Sequence, residues 1–379
     1  MIKNRKHNLK NVSYFSIVFN GSASIEPVGY KGITHVIEHC MCENIKQYES
    51  LYKNYALNWN AETGNNTMSF YIFGLSKYIN KVKKQFLDSI LKYKITKEVF
   101  ERERAIILTE YVQHYSDQCA MFMSNWSRKH LNSCGSIGYI EDLKNITYEK
   151  FIEYKNKYYS NPSYIGYIHS KSSSDLKDIS NVQYNSLTAY PNYIEYGSYN
   201  EYPMESYSTF DAQRILLMNN IIPYDKECLN NCYAKIFASC ISGGLTSPLY
   251  QELREKLQCV YYLGSSCSKL SNTQLKFYTL VFCDGNKADM VMNRFKEVIF
   301  DIKSYLAESD FNSALNCIKN NIKLDAITSY TNTNMFVEEY DKIYENFTSD
   351  KLTYNGFLNF IDLFLNNNIE FYKDSDYIK

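Results

Sequence analysis

The chain lacks any apolar run of 18 or more residues, so it offers nothing that crosses a bilayer as a helix. After Lys3, Arg5 and Lys6 it continues His7-Asn8-Leu9-Lys10-Asn11-Val12, which is not the apolar stretch of a secretory signal. Together these absences predict a cytoplasmic protein with no membrane insertion. Neither sign of charge is in excess, with 41 basic and 41 acidic residues scattered along the chain, so there is no footprint for nucleic acid or an anionic membrane. The short basic start, Lys3 to Lys10, reads as a solvated tail. The chain also has no CxxC pair. Its 11 cysteines are odd in number, lack even spacing and sit in a chain long enough to fold without staples, which predicts reduced, mostly buried thiols. The 37 tyrosines suit strand faces and half-buried surfaces and carry no function by themselves.

The chain has 379 residues, whereas a single core stops growing at roughly 250–300, so two domains are expected. Val12 to Asn20 reads as a strand ending in an Asn-Gly turn, and Ile33 to Tyr52 has apolar residues at helical spacing. Asn58 to Asn66 is polar and turn-prone, and Thr67 to Gly74 returns to strand character. Helical segments follow at Lys77 to Tyr93, Lys97 to His114, Gln118 to Leu131 and Tyr148 to Tyr159, then a strand at Ser163 to Ile168. A polar stretch from Ser170 to about Pro203 is the best linker, which places the domains at 1–185 and 186–379. The second half offers a strand at Gln213 to Ile222 and helices at Asp225 to Ser239 and Ser247 to Leu257. Strands at Val260 to Ser266 and Leu275 to Phe282 come next, then long helices to the C-terminus.

Within Gly32-Ile33-Thr34-His35-Val36-Ile37-Glu38-His39 two imidazoles stand four residues apart on a predicted helix, so both rings can reach one ion, and Glu38 projects from nearly the same face. This is the H-x-x-E-H arrangement of inverted-motif zinc peptidases, in which the histidines bind metal and the glutamate handles the proton. A chain with six histidines produces it by chance on the order of once in two hundred. A catalytic zinc needs a third protein ligand and an open fourth position, and Glu110 is the candidate. It ends a helical stretch in which Ile106 and Ile107 are expected to be buried, with Glu103 and Glu110, seven apart, sharing another face. Cys40 and Cys42 do not share the His35/His39 face well, and His114 as a fourth ligand would close the open position. His7, His130 and His169 have no partner at metal spacing and read as structural or exposed.

These residues, from about Val12 to about Ile322, resemble the pitrilysin, insulysin and mitochondrial processing peptidase family of HxxEH zinc metallopeptidases, as a small two-domain member. Phe19-Asn20-Gly21-Ser22 with Glu26 and Gly32 resembles the approach to its metal helix, and Asn60-Ala61-Glu62-Thr63 its N-A-x-T strand. Ser242-Gly243-Gly244 through Lys256, followed by Tyr261, resembles its second signature. The resemblance implies an α+β fold of two related domains, each a mostly antiparallel sheet packed on helices, together half of a four-domain clamshell. It implies one zinc per chain on His35, His39 and Glu110, Glu38 as general base, Glu103 as a carboxylate behind the ligands, peptide held along Asn60 and Ala61, and Arg254 and Tyr261 contacting substrate. The expected activity is zinc-dependent endopeptidase action on short or extended peptides inside a closed chamber, with removal of a leader from a peptide precursor as one use. The alternative is a non-catalytic subunit that binds peptide while another chain cuts. A homodimer, or a heterodimer with a related half-size chain, would complete the chamber. The chain departs from the family in three places: Cys40-Met41-Cys42 replaces an apolar residue and a Gly-Thr turn, Glu110 follows His39 by 71 residues, a little less than the family's usual separation, and little strand precedes Val12, so the first sheet is expected to lack part of an edge strand.

Overall fold

The computed structural model describes residues 1–6, 11–169, 179, 181–199, 201–204, 212–328 and 338–377. His7, the Ser170 to Asp175 part of the expected linker and residues 329–337 of the expected C-terminal helices lie outside the described residues, as does the side chain of His169.

The first half is built on a five-stranded sheet in the order β1-β5-β2-β4-β3. Its strands are β1 (Ile2–Lys6), β2 (Val12–Asn20), β3 (Asn58–Thr63), β4 (Thr67–Leu75) and β5 (Tyr164–His169), antiparallel except for the β1–β5 pair. Helices α1 (Ile33–Lys46), α2 (Glu49–Asn54), α3 (Ser76–Leu91), α4 (Lys97–His114), α5 (Gln118–Leu131), α6 (Ile140–Asn145) and α7 (Tyr148–Tyr158) accompany it. Phe15, Ile17 and Phe19 of β2 alternate onto the face that packs against Val36, Ile37 and Cys40 of α1 and Phe86 of α3.

The second half has an antiparallel sheet in the order β7-β8-β6-β9, from β6 (Gln213–Pro223), β7 (Val260–Lys269), β8 (Gln274–Asp284) and β9 (Ile369–Lys373). Its helices are α8 (Leu229–Ser242), α9 (Ala288–Phe300), α10 (Ile302–Tyr305), α11 (Glu308–Thr328), α12 (Glu338–Thr348) and α13 (Tyr354–Asn366). A separate core, including Phe237, Phe277, Phe360 and Phe364, lies between this sheet and its helices. The two halves repeat one plan: β2-α1-β3-β4-α3 has the same order, and the same strand neighbours, as β6-α8-β7-β8-α9. The fold is α+β, with two related, mostly antiparallel sheets. Helix α5 crosses between the halves, setting Phe122 and Trp126 against Ile215 and Leu217 of β6. All 11 cysteines are free, and eight of them are buried.

Several expectations need correction. Of the basic start expected as a solvated tail, the described part, Ile2–Lys6, pairs in parallel with β5 as an edge strand, where the first sheet was expected to lack part of one. Asn58–Thr63, turn-prone by composition, is the strand that its N-A-x-T resemblance implied, and an edge strand with one face in solvent needs few apolar residues. The helix expected over Ile33 to Tyr52 breaks after Lys46 and resumes at Glu49. The helix expected from Asp225 starts only at Leu229, where the Asp225 carboxylate accepts the Leu229 and Asn230 N–H groups. Tyr250–Glu255, expected as ordinary helix, is wound as a π-helix, and the C-terminal run of helices closes on strand β9.

Candidate metal centre

Helix α1 is set in place at its start. Gly32 enters it at φ +97°, a conformation that favours glycine, and a Cβ there would meet the Leu143 side chain at 2.8 Å. The buried Glu26 carboxylate accepts the N–H groups of Gly32 and Thr34, each at 2.8 Å, and so satisfies donors that a helix start leaves open. Burial pushes that carboxyl up to about 7 despite both bonds.

From this anchored start, His35 and His39 fall one turn apart, their rings 4.8 Å between centroids and nearly perpendicular. Helix α4 packs against α1 and brings in both acidic residues. The Glu110 carboxylate lies 3.7 Å from His35 Nε2 through one oxygen and 3.7 Å from His39 Nε2 through the other. Those gaps are too long for hydrogen bonds. They are close to the ~3.4 Å that separates donors around a tetrahedral ion with ligand distances near 2.1 Å. One donor atom from each of the three residues falls within 4.8 Å of the others, the arrangement a metal ion requires. Burial, and then the neighbouring His39, pull His35 down to about 4, so its imidazole is neutral at ordinary pH, the form that ligates metal. The donor set fits zinc.

Glu103 stands behind the histidines. It is 1% exposed and accepts from His39 Nδ1 at 3.4 Å and from Arg102 Nε at 3.0 Å. Its helix face was misjudged in part. Glu103 does share a face with Glu110, but so does buried Ile107, and that face meets α1, whereas Ile106 is 40% exposed. Glu38 is 7% exposed, and burial pushes its carboxyl up, partly offset by His39 and by bonds from Thr63 and Cys42. Cys42 therefore points at Glu38 rather than into the ligand cluster, with its thiol donating to Glu38 Oε1 at 3.8 Å. Sequence reasoning missed both contacts: no local pattern links Thr63 to Glu38, 25 residues apart on a strand and a helix, and Cys42, one turn from Glu38, was weighed only as a metal ligand. His114 bonds Ser124 at 3.1 Å instead of joining the ligands, and buried His130 bonds the Tyr377 hydroxyl at 2.7 Å.

Asn60 and Ala61 lie on β3, the edge of the first sheet, whose outer backbone groups have no neighbouring strand among the described residues. Arg254 and Tyr261 stand together in the second half. The Arg254 guanidinium donates to the Tyr261 carbonyl at 2.9 Å, and the Tyr261 hydroxyl to the Cys283 carbonyl at 2.9 Å. Among the described residues no hydrogen bond or ion pair joins either to His35, Glu38, His39 or Glu110. By helix position, α8 carries Asn231, Ala234 and Lys235 where α1 carries His35, Glu38 and His39, so the repeated plan duplicates the scaffold without the donors.

Among the described residues no helix is long and apolar enough to cross a membrane. No curated protein sequence gives a significant match. The structure resembles a protease from Helicobacter pylori (13% identity, TM-score 0.77, covering 98% of this chain and 96% of that one). It resembles a peptidase M16 inactive domain from Pseudomonas fluorescens (11%, 0.74, 98% and 94%) and a conserved protein from Enterococcus faecalis V583 (14%, 0.70, 98% and 95%). At these identities the likeness is one of fold. Residues 4–133 match the family described as Insulinase (Peptidase family M16), and residues 145–317 match Peptidase M16 inactive domain, so the HxxEH helix falls in the first and the donorless α8 in the second. The chain belongs to peptidase family M16.

Proposed function

We propose that this protein is a zinc-dependent endopeptidase acting on short or extended peptides, with one zinc per chain held by His35, His39 and Glu110. The observation that carries the reading is the convergence of His35 Nε2, His39 Nε2 and the Glu110 carboxylate beside a buried glutamate that is not part of the ligand set. A zinc ion there supplies Lewis acidity to water and to the scissile carbonyl. Glu38 takes the proton of the attacking water and later delivers it to the leaving amine, a role suited to a carboxyl whose burial raises its proton affinity. Glu103 holds the His39 ring by Nδ1 and leaves Nε2 directed at the metal position. The peptide extends the first sheet by pairing with β3 at Asn60 and Ala61, so main-chain hydrogen bonds hold it without strong demands on sequence. Leader removal from a peptide precursor is one use that fits such binding. The intact donor set favours catalysis over a subunit that only binds peptide.

A mixed-sequence peptide pool incubated with the protein, its products identified by mass, tests the reading. Cleavage should stop on metal chelation and return with zinc; cleavage indifferent to chelation would refute the zinc assignment.

Because Arg254 and Tyr261 are not bonded to the metal-site residues, we place them in a site completed by a second copy of the chain or a related half. Glu38→Gln and Arg254→Ala proteins, each inactive, should regain activity on mixing, since one site of a mixed dimer has both residues intact. Random exchange in a two-fold dimer restores roughly a quarter of the sites. No recovery after verified subunit exchange would count against a homodimeric site.

A further inference from the structure

The Glu38 carboxylate is held at both oxygens. The Thr63 hydroxyl donates to Oε2 at 2.9 Å, and the Cys42 thiol donates to Oε1 with its sulfur 3.8 Å away. These donors differ in origin and strength. Cys42 sits one turn further along α1 and travels with Glu38, and a thiol is a weak donor. Thr63 comes from β3, on the edge of the sheet, and a hydroxyl bonded to a carboxylate is among the stronger protein hydrogen bonds.

The position of Thr63 follows from strand alternation. Trp59 and Ala61 turn inward onto the first core, and Thr63, two residues on, continues that row to the level of Glu38. The turn that follows is fixed by the Gly64 N–H bond to the Thr67 carbonyl at 2.9 Å, so a closed hairpin presents the hydroxyl. A glutamate side chain with three rotatable bonds needs such support if its carboxylate is to meet one proton in one direction.

We infer that Thr63 is a positioning residue for Glu38, and that through it the strand receiving an extended peptide also fixes the group that moves the proton. This rests on the peptidase reading. Thr63 acts through Glu38 and has no part at the reacting bond.

Thr63→Val keeps side-chain shape and strand preference while removing the hydroxyl, and Thr63→Ser keeps the hydroxyl. For Thr63→Val, kcat should fall roughly 10–100-fold with KM and bound zinc unchanged, and Thr63→Ser should recover most of the loss. Equal losses in both variants would reduce Thr63 to a packing role, and a higher KM at unchanged kcat would assign it to peptide docking; either overturns the inference. A second measurement needs no turnover. Urea midpoints of Thr63→Val, Glu38→Met and the double variant should be non-additive, because the two single changes remove the same bond. If the wild-type protein cleaves no peptide, the peptidase reading fails and this cycle alone decides: additive shifts show that Thr63 does not hold Glu38, and coupled shifts show that it does.

Discussion

Replacing Glu38 with Gln leaves zinc bound and removes hydrolysis, whereas replacing His35 with Ala removes both. Glutamine has the shape of glutamate and can still accept the Thr63 hydroxyl, so the metal helix keeps its packing. What it cannot do is take a proton, and loss of a positioned acid–base group costs about 10²–10⁴-fold in rate. His35 is different because Nε2 is one of the three converging donors and the ring is largely buried against α4. Alanine leaves two protein ligands where a catalytic zinc uses three. The metal-to-protein ratio after dialysis, measured beside peptide turnover, separates the two effects. Equal zinc retention in the variants would remove His35 from the ligand set. Full turnover by Glu38→Gln would remove Glu38 from the proton path and require another base.

The contrast between these residues also shows what a sequence can reveal. The i, i+4 spacing of His35 and His39 is a local statement about one helix, and the helix is where the spacing requires it. Glu110 was accessible by the same logic, because Glu103 and Glu110 return to one face after two turns. The long helices α4 and α5 carry enough periodic residues to set their own limits, whereas the edge elements do not. In Ile2–Lys6 only one residue is strongly apolar, and a strand that pairs on one side and meets solvent needs no more. Strand β9 follows a strongly apolar helix, and only its pairing with β6, some 150 residues earlier, reveals it as a strand. The Thr63 and Cys42 bonds to Glu38 were hidden for a related reason. Thr63 is joined to Glu38 by tertiary packing alone, and Cys42, considered only as a possible ligand, could be placed at Glu38 rather than at the metal only by the side-chain geometry.

Lys276 is a further case, and its replacement by Met should stabilise the protein at neutral pH. The stretch Leu275 to Phe282 is a strand, as expected, and α5 from the other half covers the face of it that carries Lys276. The side chain is 8% exposed, its ammonium lies 3.8 Å from the centre of the Trp126 ring, and no ion pair with it is found among the described residues. Burial alone pulls the amine down from 10.5 to about 7. At pH values between these two, the unfolded chain holds a proton that the folded chain has released, so stability rises as pH increases across that window. Below about 7 both states are charged and the full burial cost is present; above 10.5 both are neutral and it vanishes. A displacement of that size sets an upper limit of about 5 kcal/mol. The Trp126 face returns up to about 2 kcal/mol of it. Lys276→Met keeps the volume and removes the charge, so its melting midpoint should exceed that of the wild type by several degrees near pH 7. That advantage should shrink toward zero above pH ~10. Nearby His130 titrates below the window: burial, then Lys129 and least of all Lys276 pull it down to about 4, so relief of the Lys276 contribution acts on the acid side of the comparison. Melts of both proteins across this range decide the matter: a difference that stays flat with pH would exclude the buried charge as its cause, and a less stable variant at pH 7 would mean that the contact with Trp126 outweighs the cost of burying the amine.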